Sequence, residues 1–228
     1  MNIPPKNICF VLLPGFAPDD LPVQKLKALL TERGYSAVST NFFGAVPSED
    51  FSKITIPDAL TSIEAIIQTA KTNHEKVIGV GISLGGAMLL EHEKTHHDLD
   101  GIVSIGTPFR LSYPRLIRIG SYIAPIIYPL YRPLEKKKSR RMFPIGALRM
   151  AVDYMQNRFL QGLEKIETHV LFVQSKQDSV ADYRVLREYA SKCTNAHTEI
   201  ILSENGTHVM DDNPEVVLGY IERFLQQL

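Results

Sequence analysis

The chain has 228 residues, and its 25 Lys plus Arg cancel its 25 Asp plus Glu, so the formal charge is zero with histidine neutral. At 44% hydrophobic and 22% charged, the composition excludes a disordered, collagen-like or coiled-coil chain. The length suits one domain with a full core, and the neutral balance argues against a nucleic-acid partner.

The first apolar run, Ile8 to Leu13, ends at Pro14-Gly15. It follows Pro4-Pro5, lacks a small-residue cleavage site and is too short for a secretory h-region, so it predicts a strand. Leu26, Leu29 and Leu30 give 23–31 a helical spacing, and 35–43 is a second strand candidate. Over 57–71, Leu60, Ile63, Ile66, Ile67 and Ala70 recur at helical period behind a proline suited to a first turn. Strands at 76–82 and 101–105 flank a helix at 84–94. Further strands are predicted at 169–174 and 198–202, with a helix at 182–191 between them. A last helix runs from Pro214 to Leu225, with Asn213 as its expected cap. Strands apolar on both faces, separated by helices, predict an α/β fold with a mostly parallel sheet covered on both sides.

Between 108 and 158 the alternation stops for too long a stretch to be a plain loop. It reads as an inserted cap on a core made of 1–107 and 159–228. Arg118, Pro125 and Pro129 interrupt its apolar run, which falls short of a membrane span. Cys9 and Cys193 lie far apart in apolar or mixed runs and read as buried thiols, so a cytoplasmic setting is expected.

Gly81-Ile82-Ser83-Leu84-Gly85-Gly86 sits where the strand at 76–82 meets the next helix. This is a G-x-S-x-G elbow. A serine on so tight a turn needs small neighbours at minus two and plus two, and the turn aims the Leu84 amide and the helix N-terminus at a developing oxyanion. A structural serine in a glycine-rich turn is the plainer reading. A nucleophilic serine needs a base and an orienting acid, in the order Ser, Asp or Glu, His. Asp178, just beyond the strand at 169–174, and His208, between the last strand and last helix, fit that order. Asp182 is the nearest substitute for the acid, and a solvated turn carboxylate or a plain loop histidine are the bland alternatives. Each chosen residue follows a different strand, which would gather them at one edge of a parallel sheet. A second oxyanion donor should come from the loop after the first strand, where the Phe16 amide follows Pro14-Gly15.

The stretches LLPGF (12–16), GVGISLGGAMLL (79–90), IVSIGTP (102–108), LFVQSKQDSVAD (171–182) and GTHVMDDNPEVV (206–217) resemble the α/β-hydrolase superfamily, most of all its small bacterial carboxylesterase and monoacylglycerol lipase branch. The resemblance spans nearly the whole chain and is weakest in the insert. It implies the α/β-hydrolase fold, a triad of Ser83, Asp178 and His208, and oxyanion amides at Phe16 and Leu84. One departure is Pro14-Gly15-Phe16, where relatives commonly carry a triplet such as His-Gly-Phe. The expected activity is hydrolysis of carboxylic esters through an acyl-enzyme, with no cofactor and no metal, on a small ester with a hydrophobic acyl chain. A thioesterase or acyltransferase using the same triad, and a non-catalytic binding protein of this fold, are the alternatives.

His92-Glu93-Lys94-Thr95-His96 matches H-E-x-x-H, a zinc-protease pattern. A catalytic zinc needs a third protein ligand and a cleft. Because the segment runs into His97, Asp98 and Asp100, it is expected to be a solvated helix end instead. The cap holds eleven basic residues against Glu135 and Asp153, or +9, interleaved with Ile, Leu and Tyr. Its plain reading is a lid with charges facing water, and its sharper one a surface attracting anionic lipid or an anionic substrate. The flanking segments carry −4 (1–107) and −5 (159–228), so the neutral total conceals an acidic body and a basic insert.

Overall fold

A computed structural model describes residues 5–16, 21–40, 55–113, 119, 145–210 and 213–228. Its six strands form one sheet in the order β2-β1-β3-β4-β5-β6, and every neighbouring pair is parallel. The strands are β1 (Ile8–Leu13), β2 (Ser36–Ser39), β3 (Lys76–Ile82), β4 (Gly101–Ile105), β5 (Val170–Ser175) and β6 (Thr198–Ser203). β1, β4 and β5 are buried throughout, and β3 from its second residue, whereas the edge strands β2 and β6 are only half-buried. That pattern follows from the sequence, because a strand covered on both faces is apolar at most of its positions.

The period-two alternation of β1 divides its side chains between two cores. Cys9, Val11 and Leu13 join α2 (Ile56–Asn73), α3 (Leu84–His96) and α4 (Ile145–Asn157) on one face. Phe10 and Leu12 join α1 (Leu21–Glu32) and the last helix on the other. α2 starts on a reciprocal cap that the helical period alone does not reveal. The Thr55 hydroxyl accepts the Asp58 amide at 3.3 Å, and the Asp58 carboxylate accepts the Thr55 amide at 2.9 Å.

Several boundaries differ from the sequence expectation. The helix expected over 182–191 is a 3₁₀ turn, Tyr183–Val185, followed by a short α5, Leu186–Ala190. Asp182 is the reason, since its side chain accepts the Arg184 amide and caps the tighter turn. α6 (Pro214–Leu225) starts where predicted, but Asn213 makes no side-chain capping bond, and its φ of −145° and ψ of 64° lie outside the usual capping geometry. Positions 41–43 of the expected second strand lie outside the described residues, as do 114–118 and 120–144 of the expected cap. Of the described ends of that insert, Phe109, Ala151, Tyr154 and Met155 pack into the α3-side core.

The end of α3 is solvated as expected at Thr95, His96 and the capping His97, but the turn before it is buried. His92 and Glu93 are each 1% exposed and Lys94 7%. α3 packs on β3 and β4 and is also flanked by α2 and the turn at Leu163–Lys165, which shut His92, Glu93 and Lys94 away from water. They find partners inside. His92 Nε2 bonds Asp98 Oδ1 at 2.8 Å, and Lys94 donates to the Phe159 carbonyl at 2.7 Å.

Candidate active site

Ser83 occupies the turn between β3 and α3 with φ 53° and ψ −117°, a left-handed conformation that costs a non-glycine residue roughly 1–3 kcal/mol. The turn is held from several sides. The Ser83 amide donates to the Ile105 carbonyl at 2.7 Å, and the Thr107 hydroxyl donates to the Ser83 carbonyl at 3.3 Å. A Cβ at Gly81 would lie 2.3 Å from the Gly86 amide nitrogen, and one at Gly85 2.4 Å from the Leu13 carbonyl oxygen. The elbow glycines are therefore demanded by backbone contacts that no side-chain rotation can relieve.

The strand ends bring the three predicted residues together. Ser83 Oγ lies 2.8 Å from His208 Nε2, and His208 Nδ1 lies 2.7 Å from Asp178 Oδ2. A carboxylate can only accept, so Nδ1 carries the proton and Nε2 is left to accept from the serine hydroxyl. Asp178 has a side chain with no exposed surface. Its other oxygen, Oδ1, accepts the amides of Val180 at 2.7 Å and Ala181 at 2.8 Å. These bonds fix the plane of the carboxylate.

Two residues not singled out from the sequence complete this arrangement. The Gln174 side chain, 2% exposed, donates to Asp178 Oδ2 alongside His208. A glutamine closing an apolar strand, four residues before a candidate acid, was the available signal. Gly106, at φ 60°, has no room for a side chain, because a Cβ there would stand 2.3 Å from the His208 carbonyl oxygen. The His208 loop is also tied to β5, where the Ser175 hydroxyl donates to the Gly206 carbonyl at 2.7 Å.

The loop after β1 lies against the serine, since a Cβ at Gly15 would be 3.1 Å from Ser83 Cβ and 3.8 Å from Oγ. Phe16 is half-buried and packs against the α3-side core. Leu84 opens α3, so its amide has no acceptor within the helix. Asp182, the alternative acid, faces elsewhere and binds Arg110 and Arg184.

A cavity of about 260 Å³ lies beside Asp178, with Ser112, Tyr113 and Arg184 in its wall. Another, of about 230 Å³, has Phe109, Leu111, Met155, Leu160 and Tyr189 around it. Among the described residues, no group of three or more His, Cys, Asp and Glu is arranged to hold a metal ion. In the H-E-x-x-H segment the His92 and His96 rings stack at 4.1 Å between centroids. Glu93 Oε2 faces the Leu99 amide at 3.4 Å, and burial raises its carboxyl to a pKa of about 7.

No protein-family model and no curated protein matches the sequence. Solved structures do match its fold. A metagenome-derived lipolytic enzyme from work on LipS and LipT superposes with a TM-score of 0.76 at 17% identity, over 98% of this chain and 95% of its own. The monoacylglycerol lipase of Paleococcus ferrophilus gives 0.67 at 17% identity, over 95% and 94%. A carboxylesterase structure from Nitrososphaera gargenis gives 0.73 at 14% identity, over 98% and 91%. The chain has the α/β-hydrolase fold.

Proposed function

We propose that this α/β-hydrolase-fold protein is a serine hydrolase of carboxylic esters, with Ser83 as nucleophile, His208 as base and Asp178 as orienting acid. The observation that carries the reading is the unbroken chain of hydrogen bonds from Ser83 Oγ through both nitrogens of His208 to a buried carboxylate. As Oγ attacks the ester carbonyl, His208 Nε2 takes its proton, and Asp178 stabilises the charged ring. The oxyanion lies towards the amides of Leu84 and Phe16, at the positive end of α3. The tetrahedral intermediate collapses, His208 returns the proton to the alcohol, and the acyl group stays on Ser83. Water repeats the sequence and frees the acid.

Lipolytic enzymes and a monoacylglycerol lipase among the structures of like fold support an ester substrate. The apolar side chains of Phe109, Leu111, Met155 and Leu160 in the wall of one cavity support a hydrophobic acyl chain. Cys9 and Cys193 are free and buried, which fits a reducing, cytoplasmic compartment. The basic segment from 108 to 158 supports peripheral contact with anionic lipid.

Labelling of Ser83 by a fluorophosphonate, with turnover of p-nitrophenyl butyrate, tests the reading directly. Ser83→Ala is expected to abolish labelling and lower kcat by roughly 10⁴-fold or more, with the fold intact by circular dichroism. Wild-type turnover in that variant would overturn the mechanism. EDTA is expected to leave turnover unchanged, and loss on chelation would point to metal chemistry instead. Ester products appearing on added alcohol would assign the same triad to acyl transfer.

A further inference from the structure

Asp182 is nearly as well buried as Asp178, with its side chain 5% exposed, but its carboxylate is taken up by two arginines. Arg184, two residues on, bonds Oδ1 through Nε at 2.8 Å and Oδ2 through Nη2 at 3.0 Å. Arg110 comes from the segment leaving β4 and bonds Oδ2 through Nε at 3.1 Å and Nη2 at 2.6 Å. The backbones beneath are paired as well. The Ser112 amide donates to the Val180 carbonyl at 2.7 Å, the Asp182 amide donates to the Arg110 carbonyl at 2.9 Å, and Leu111 faces Ala181 in an antiparallel bridge.

This strap shares the Val180–Ala181 peptide with the contacts that hold the acid. Val180 spends its carbonyl on Ser112 and its amide on Asp178 Oδ1, while Ala181 bridges Leu111 and gives its amide to the same oxygen. A rotation of the Val180–Ala181 peptide, whose carbonyl meets Ser112 and whose amide meets Asp178, would break the strap and the Asp178 contact together. We infer that Arg110 and Asp182 are positioning residues, whose ion pair locks the strap of 110–112 against 180–182 and thereby keeps Asp178 aimed at His208. The inference rests on the proposed role of Asp178. Of the two arginines, Arg110 alone crosses between the segments; Arg184 belongs to the loop that is being held.

That difference supplies the control. Arg110→Gln is expected to lower kcat about tenfold on p-nitrophenyl butyrate with KM within about twofold, because it misaims an acid that does not touch substrate. The same variant should shift or broaden the low-field proton resonance of His208 Nδ1–H. Arg110→Lys should recover most of the loss, and Arg184→Gln should stay near wild type in both readouts. Asp182→Asn, which keeps an acceptor oxygen, is expected to follow Arg110→Gln and serves as the second variant should that one not fold. Wild-type kcat and resonance in Arg110→Gln, or an equal loss in Arg184→Gln, would overturn the inference. If the wild-type protein neither labels nor turns over, the ester-hydrolase reading fails by itself, and the strap is judged on the resonance alone.

Discussion

At the scale of single residues, the site depends on which atom of a side chain is committed to what. Asp178 divides its oxygens, with Oδ1 on two backbone amides and Oδ2 on His208 and Gln174. Asp178→Asn should keep this shape and invert its chemistry. An amide nitrogen facing His208 favours the tautomer protonated on Nε2, which cannot take the serine proton. A loss of roughly 10⁴-fold in kcat is expected on p-nitrophenyl butyrate, with little change in melting temperature. Sequence order alone made Asp178 and Asp182 competitors four residues apart. The structure separates them by partner, since one carboxylate meets a histidine and the other two arginines.

At the scale of elements, α3 combines two kinds of buried polarity. Its N-terminus presents Ser83 and the Leu84 amide to the site, while its last turns bury His92, Glu93 and Lys94 among α2 and the chain returning through Phe159. Desolvation raises Glu93 from 4.5 to about 7 and lowers His92 below its ordinary value. The signs oppose each other. Between about pH 4.5 and 7 the folded state holds a proton on Glu93 that the unfolded chain has released, so this group makes stability fall as pH rises through that window, by roughly 3 kcal/mol at full ionisation. His92 takes up a proton less readily in the fold than in the unfolded chain, so it makes stability fall as pH drops through the ordinary histidine range. Urea melts of the wild type and Glu93→Gln isolate the first effect. The variant is expected to gain on the wild type between pH 5 and pH 8, and parallel profiles would contradict a buried, proton-holding Glu93. The H-E-x-x-H spacing was plain in the sequence. That its glutamate faces the Leu99 amide, not a cleft, depends on the packing of α3.

At the scale of the whole molecule, a formal charge of zero separates into a body of −9 and an insert of +9 over 108–158. Such a distribution predicts association with vesicles containing anionic lipid, weakening as salt rises above about 0.1 M, where exposed charges more than about 10 Å apart are screened. Co-sedimentation that is equal on neutral and anionic vesicles would count against the lipid-facing insert. Among the described residues no helix is long and apolar enough to cross a membrane.

The sequence by itself determined the order of strands and helices, the strained elbow at Ser83 and the three strand-following residues, because these depend on local periodicity, on turn chemistry and on the rule that parallel strands end at one edge. It chose Asp178 but left Asp182 standing as a substitute, and it could not show Gln174 behind the acid, the fit of Gly106 against His208 or the strap through Arg110. It also extended the solvated end of α3 back over His92, Glu93 and Lys94, which are buried. Each of those turns on which distant segment lies opposite: Arg110 is 72 residues from Asp182, and Phe159 is 65 from Lys94. Burial and hydrogen-bond partnership at such separations are properties of packing, and only the tertiary structure supplies them.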